Sequence, residues 1–129
     1  MKFNSQICTT REQSEKLLAL GLKKETADMC IYRNVEFTFP CPDDEFIPAW
    51  SLHRLLSMLP IIIDCKKDLQ SYSSTLYLDL YINNIAYTYT DYDYDDRVYV
   101  GWDNGLYNAV VNCIEWLIKE GYFNKEYLV

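Results

Sequence analysis

The residues from Ser73 to Trp102 alternate in a way that leaves few folds open. Leu76, Leu78, Leu80 and Ile82 interleave with Tyr77, Asp79, Tyr81 and Asn83. Side chains of an extended chain project to opposite faces with a period of two, so this pattern predicts a strand with one aliphatic and one polar-aromatic face. Asn83-Asn84 suits a two-residue turn, because Asn tolerates positive φ. A return strand is expected from Ile85 to about Tyr92, with Ile85, Tyr87 and Tyr89 alternating with Ala86, Thr88 and Thr90. Asp93 to Asp96 then make a second turn and Arg97 to Trp102 a third strand, giving an antiparallel meander that Asp103-Asn104-Gly105 closes.

An aliphatic sheet face must be covered, and three segments carry helical spacing. Leu106, Ala109, Val110, Cys113, Ile114, Leu117 and Ile118 recur at i, i+3, i+4, i+7. Asp103 or Asn104 is the expected cap of that helix, Glu115 and Lys119 its outer i, i+4 pair, and Gly121 its stop. Near the N-terminus, Thr9 or Thr10 can cap a helix carrying Leu17, Leu18 and Leu20. Thr10 with Gln13 has the spacing of a capping box, and Gly21 fits just past the end. Ser51 is the expected cap of a third helix with Leu52, Leu55, Leu56 and Leu59, ended by Pro60. Trp50 is placed to pack against Leu55 ahead of it.

The segment from Met29 to Phe39 reads as two strands joined at Arg33-Asn34. Pro40-Cys41-Pro42-Asp43-Asp44-Glu45 follows as a loop, since two prolines exclude regular pairing. Ile47-Pro48-Ala49 reads as the lead into the third helix, and Ile61-Ile62-Ile63 as the start of a further strand. The tail from Tyr122 to Val129 is apolar enough to dock back. Helices on one face of a mostly antiparallel sheet, with the meander and N-terminal strands, make an α+β fold.

The chain has 129 residues, a length that predicts one domain spanning 1–129. Folding should bury roughly 68–70% of the surface that the unfolded chain exposes. An apolar content of 50% with twelve tyrosines argues against disorder. Nineteen Asp and Glu against twelve Lys and Arg give a net charge of −7, which disfavours direct binding of nucleic acid or of an anionic membrane. The charge is uneven. Five acids against one arginine make Asn34–Asp64 net −4, the same balance recurs over Asp91–Asn108, and the stretch through Arg33 is net +2.

The five cysteines, Cys8, Cys30, Cys41, Cys65 and Cys113, include no C-x-x-C pair, and His53 is the one histidine. A zinc site uses short paired spacings and usually histidines, so no metal or other cofactor is expected. Scattered cysteines of this kind are expected to act as small buried hydrophobes in a reducing cytosol. Met1 to Asn4 is followed by polar residues and not by an apolar leader core, and the longest apolar runs are too short to span a bilayer. The expected setting is cytoplasmic.

Three stretches carry a resemblance. Ile7-Cys8-Thr9-Thr10-Arg11-Glu12-Gln13-Ser14-Glu15-Lys16-Leu17-Leu18-Ala19-Leu20-Gly21-Leu22 is followed by Glu25-Thr26-Ala27-Asp28-Met29. Ile47-Pro48-Ala49-Trp50-Ser51-Leu52 precedes Leu55-Leu56, and Cys113-Ile114-Glu115-Trp116-Leu117 precedes Gly121-Tyr122. Together they resemble a family of small uncharacterised proteins of Bacteroides-type gut bacteria and of their prophages and mobile elements. The resemblance implies an accessory or phage-related origin and transfers no catalytic residue. The loop over Pro40 to Phe46 is shorter here than in many such proteins.

The run Asp91-Tyr92-Asp93-Tyr94-Asp95-Asp96 aligns Asp91, Asp93 and Asp95 on one side if the strand continues. Carboxylates so aligned repel one another unless solvent, a cation or a basic partner compensates. A calcium loop is excluded by pattern, since it wants Gly at its sixth position and Glu at its twelfth, where Asp96 and Trp102 stand. The run therefore reads as a solvated hairpin tip, a surface for a basic protein, or a cation site. Tyr77 and Tyr81 share a strand face that Tyr87 or Tyr89 of the neighbouring strand could extend. A tyrosine stripe suits a protein interface, because each ring buries much area and keeps a polar tip. An ordinary amphipathic sheet covered by other elements is the bland alternative. His53 is off the leucine stripe and reads as a surface residue, and Trp50, Trp102 and Trp116 read as core anchors.

No motif assigns catalysis, so a non-enzymatic interaction protein is the favoured reading, with a protein partner or a second copy as the ligand. The partner-binding candidates are Tyr77, Tyr81, Tyr87, Tyr89 and Asp91, Tyr92, Asp93, Tyr94, Asp95, Asp96. An acidic decoy that mimics nucleic acid for a host enzyme is the alternative. A small enzyme built on His53 or a cysteine comes third.

Overall fold

The computed structural model describes residues 6–67, 70–79, 84–90, 95–102 and 105–129. The fold is α+β with antiparallel sheets. The sequence predicts one domain over 1–129, and the chain forms two compact units within that span. One holds residues 1–58 with 124–129, the other residues 59–123.

The first unit begins with helix α1, Arg11–Ala19. Its capping box is the expected one. Thr10 Oγ1 accepts from the Gln13 amide at 3.2 Å and Gln13 Oε1 accepts from the Thr10 amide at 2.9 Å, satisfying two donors that the first helical turn leaves unpaired. Gly21 follows with φ of 104°, a left-handed conformation that costs glycine little. A 3₁₀ turn at Lys24–Thr26 leads to strand β1, Met29–Tyr32, and β1 turns back into β2, Val35–Thr38. Arg33 and Asn34 both have positive φ, 50° and 62°, the signature of a type I′ hairpin.

The third strand of this sheet is a correction. Ile47–Ala49 is not the approach to a helix but strand β3, antiparallel to β1, in the order β2-β1-β3. Pro48 is tolerated because β3 is an edge strand, where a missing N–H costs no ladder bond. Ser51 then caps α2, Leu52–Ser57, by accepting from the Arg54 amide at 3.1 Å. Cys8, Met29 and Ala49 form a buried cluster with Ile31 against it. The C-terminal segment returns to this unit, as expected. Lys23 N donates to Tyr127 O at 2.9 Å and Val129 N to Gly21 O at 2.8 Å.

A second correction concerns the cysteines. Cys30 and Cys41 form a disulfide with Cα atoms 6.4 Å apart, whereas Cys8 and Cys113 are the buried free thiols that were expected. The pairing arises because the loop after β2 doubles back over the central strand, bringing together residues eleven apart in sequence.

The second unit is a four-stranded meander, β4 (Ile62–Lys67), β5 (Gln70–Asp79), β6 (Asn84–Thr90) and β7 (Asp95–Trp102), paired in sequence order. Three of these strands are the expected meander, but its first turn is not at Asn83-Asn84, because Asn84 opens β6 opposite Asp79. The fourth grows from Ile61-Ile62-Ile63. Asp95 and Asp96 belong to β7, opposite Thr90 and Tyr89, and not to a turn. A register shift follows Tyr87, which pairs with Tyr99 while Thr88 pairs with Arg97, so Val98 is the extra residue of a bulge. Helix α3, Leu106–Glu120, contacts β6 and β7 and buries Val110, Cys113, Ile114 and Leu117. Its N-cap is Gly105, without a side-chain cap bond. The expected caps, 103 and 104, lie outside the described residues. The Glu115–Lys119 pair forms at 3.2 Å and Gly121 ends the helix with φ of 80°.

Candidate interaction surface

The register of the meander places the tyrosines. Tyr77 pairs with Ala86, whereas Tyr87 pairs with Leu76 on β5 and with Tyr99 on β7. Directly paired residues share a face, so Tyr87 lies on the face of Leu76 and not on that of Tyr77. Tyr87 is 0% exposed and stacks on Trp116 of α3, ring centroids 6.2 Å apart. Its hydroxyl donates to Pro60 O at 2.6 Å. Burial, reinforced by the Cys113 thiol, pushes the phenol well above its ordinary pKa of 10. Tyr87 is therefore a core residue and no part of an exposed stripe. Tyr89 pairs with Asp96 and Thr90 with Asp95 at the end of the β6–β7 ladder. Tyr81, Asp91, Tyr92, Asp93 and Tyr94 lie outside the described residues.

Around Tyr87 the rings continue. Tyr99 stacks on Trp116 at 4.8 Å and Tyr122 lies 5.6 Å from Trp116. A side-chain Cβ at Gly101 would collide with the Tyr99 ring, so glycine there is what lets the tyrosine lie along the strand. These rings hold the helix to the sheet and are half-buried or buried, which suits packing better than recognition.

A polar network surrounds Trp50 in the first unit. The Trp50 indole donates to Thr26 Oγ1 at 2.9 Å, and Thr9 Oγ1 accepts from the Trp50 amide at 3.0 Å. Asp28 accepts from the Ser51 amide at 2.8 Å and from its hydroxyl at 2.5 Å. Arg54 Nε donates to Thr26 O at 2.7 Å while its guanidinium lies over the Tyr127 ring at 5.6 Å. Each of these groups has a hydrogen-bond partner, and the network fixes the segments around α2. His53 is exposed, and among the described residues no three His, Cys, Asp or Glu converge to hold a metal ion.

The concave surface of this unit was not legible in the sequence. A groove of about 360 Å³ runs beside the β1–β2 hairpin, lined by Arg11, Ile31, Tyr32, Arg33, Asn34, Glu45, Phe46 and Ile47. Ile31 and Ile47 are direct cross-strand partners and supply an aliphatic floor. Arg11 opens α1, and Arg33 sits at the hairpin tip with its guanidinium 5.1 Å from the Tyr32 ring. Glu45 and Phe46 come from the loop after β2. That loop is tethered by the Cys30–Cys41 disulfide, by the Tyr32 hydroxyl donating to Asp43 Oδ2 at 3.4 Å, and by an edge-to-face contact of Phe39 with Phe46 at 5.7 Å. The same hairpin and loop expose Val35 at 50% and Phe39 at 42%. The groove unites residues from three separate segments, so no local pattern marks it.

Comparison with known protein families, with curated proteins and with solved structures finds no match. Among the described residues no helix is long and apolar enough to cross a membrane.

Proposed function

We propose that the protein is a non-enzymatic interaction module that binds a protein partner or a second copy of itself. The observation that supports this reading is the groove of the first unit, lined by Ile31, Ile47, Phe46, Arg11 and Arg33, on a hairpin and loop that also expose Val35 and Phe39. Apolar area with aromatic and arginine neighbours is the composition that protein interfaces favour. Of the surfaces weighed from the sequence, the tyrosine face loses Tyr87 to the core, which moves the proposed contact to the hairpin.

The accessory role in a mobile element of gut bacteria is carried into this proposal by the sequence resemblance alone. A cytoplasmic setting belongs to it as well. Buried free Cys8 and Cys113 suit a reducing compartment, while the Cys30–Cys41 link suits an oxidising one. Thiol labelling of protein quenched directly from native cells decides between them.

A photocrosslinking amino acid placed at Phe46, in the groove, and at Lys119, on the outer face of α3, tests the interaction reading. The expected result is an adduct of one defined mass from position 46 and none from position 119. Equal labelling at both positions, or none at either, would overturn it.

A further inference from the structure

The two edges of the first sheet differ. β3 carries Pro48, a residue that hinders pairing at a sheet edge, whereas β2 has no proline, no lysine and no bulge. Among the described residues β1 is the only strand that pairs with β2, so the outer side of β2 is an open edge. Val35, Glu36 and Thr38 are exposed and Phe37 is half-buried, and the exposed Phe39 continues their alternation. Val35, Phe37 and Phe39 thus share one face and Glu36 and Thr38 the other.

The hairpin fixes which backbone groups of β2 point outward. In a two-residue hairpin the residues that flank the turn, here Tyr32 and Val35, exchange both backbone hydrogen bonds, and bonded and non-bonded pairs alternate from there. Cys30 and Phe37 are then the next bonded pair. The amides and carbonyls of Glu36 and Thr38 accordingly project away from β1, and among the described residues neither backbone bonds to another segment. The same phase makes Cys30 and Pro48 a non-bonded pair, which is where a residue without an N–H fits.

We propose that the outer edge of β2 pairs antiparallel with the same edge of a second copy, about a two-fold axis at Phe37, so that two sheets join into one. The inference rests on the interaction reading above and commits it to a second copy. Register carries the argument. Centred on Phe37, Glu36 of one copy faces Thr38 of the other, and each such pair exchanges two backbone hydrogen bonds through the outward groups. Phe37 then meets its own counterpart in a non-bonded pair, where side chains stand closest, and Val35 meets Phe39 at both ends. Aromatic pairs and aromatic pairs with β-branched residues are the favourable cross-strand combinations. Centred on Glu36, the two acids would oppose each other. Centred on Thr38, Glu36 would face Pro40, which has no N–H to donate. An axis between residues would set outward groups against inward ones. A two-fold interface requires a surface complementary to itself, and the segment from Val35 to Phe39 meets that requirement in the Phe37-centred register alone.

Light scattering of the full chain from micromolar to millimolar concentration tests this, with the apparent mass expected to rise from 15.3 kDa toward twice that value. Thr38→Lys sets a cation opposite Glu36 and should tighten the dimer about tenfold, whereas Thr38→Glu sets an acid there and should weaken it about tenfold. In the Glu36-centred register residue 38 would face Asn34, and neither shift is expected. Both substitutions fall on an exposed position, so the melting temperature at micromolar concentration should stay that of the parent. In NMR exchange measurements the amides of Glu36 and Thr38 should gain protection as concentration rises, while those of Val35 and Phe37 are protected throughout. A chain that stays at 15.3 kDa, equal association of the Lys and Glu variants, or protection at residues 36 and 38 that ignores concentration would overturn the proposal. The adduct from position 46 separates the two readings. Phe46 packs on Phe39, at the end of the proposed pairing, so a second copy predicts an adduct of twice the chain mass. An adduct with a different protein, from a chain that remains monomeric, would remove the second copy and leave the interaction reading. Neither dimer nor adduct would remove both.

Discussion

The ring of Tyr87 lies against that of Trp116 with their planes 28° apart, and the Tyr87 hydroxyl donates to Pro60 O. One side chain therefore joins β6 to α3 through its face and to the start of the second unit through its tip. The carbonyl of Pro60 accepts in a setting where Tyr87 itself has no solvent exposure. A buried pairing of this kind is worth more in what its loss leaves unsatisfied than in the bond itself.

Tyr87→Phe keeps the ring and removes only the hydroxyl. The expected loss is about 1–2 kcal/mol, from the orphaned carbonyl of Pro60. Tyr87→Ala also removes the stack and opens a cavity, for about 3–5 kcal/mol. Urea denaturation followed by tryptophan fluorescence measures both. A Phe variant as stable as the parent would show that the hydrogen bond contributes nothing.

Local signals were legible and long-range ones were not. Thr10 with Gln13, Ser51 before Leu52, and Gly21 and Gly121 after their helices act within a few residues, and each is found where the sequence places it. The Arg33-Asn34 turn is equally local. Ile47–Ala49 was hidden because it is a strand only by pairing with Met29–Ile31, some eighteen residues away, and carries a proline. The face of Tyr87 was hidden because register, not alternation alone, decides which residues of two strands adjoin. The Cys30–Cys41 link and the groove share that cause. Arg11, Arg33 and Phe46 come together only after the loop has folded over β1.

The buried Trp50 indole has Thr26 Oγ1 as its acceptor, and Thr26 in turn donates to Lys23 O at 2.7 Å. Thr26→Val preserves shape and deletes both bonds. Stability is expected to fall by about 1–3 kcal/mol, and Thr26→Ser, which restores the hydroxyl, should recover most of it. Thermal unfolding of the two variants side by side checks this. Equal losses in both would assign the effect to packing.

Three buried acids, Cys8, Tyr87 and Cys113, and the half-buried Tyr99 should make the protein sensitive to alkali. Burial raises Cys8 from 9 to about 11, with Glu36 and Asp28 adding to it, and raises Cys113 from 9 to about 12. Tyr99 rises from 10 to about 12 through burial, then Cys113 and Glu115, and Tyr87 rises further. Each folded value exceeds the unfolded one, so the unfolded chain releases protons first. Above pH 9 it binds fewer protons than the native state, and stability falls with rising pH. The contribution is complete below pH 9 and is lost progressively toward pH 12. Urea midpoints from pH 7 to 11 should decline from about pH 9, less steeply in Cys113→Val. A flat profile would contradict the burial of these groups.

The Cys30–Cys41 disulfide ties the loop wall of the groove to the central strand. A cross-link spanning a loop of this length stabilises by about 2–3 kcal/mol, mainly by restricting the unfolded chain. Cys41→Ser leaves the buried position of Cys30 unaltered in size and removes only the link. Its melting temperature is expected to drop by several degrees, and a dithiol reductant should lower the parent to the same value while leaving the variant unmoved. Once the link is open, the long hydrogen bond from Tyr32 to Asp43 and the Phe39–Phe46 ring contact remain to hold the loop. Amide hydrogen exchange should then rise over residues 41–46 and stay constant in α3. Unchanged exchange there would mean that the ring and hydrogen-bond tethers suffice, and that the groove keeps its shape in either redox state.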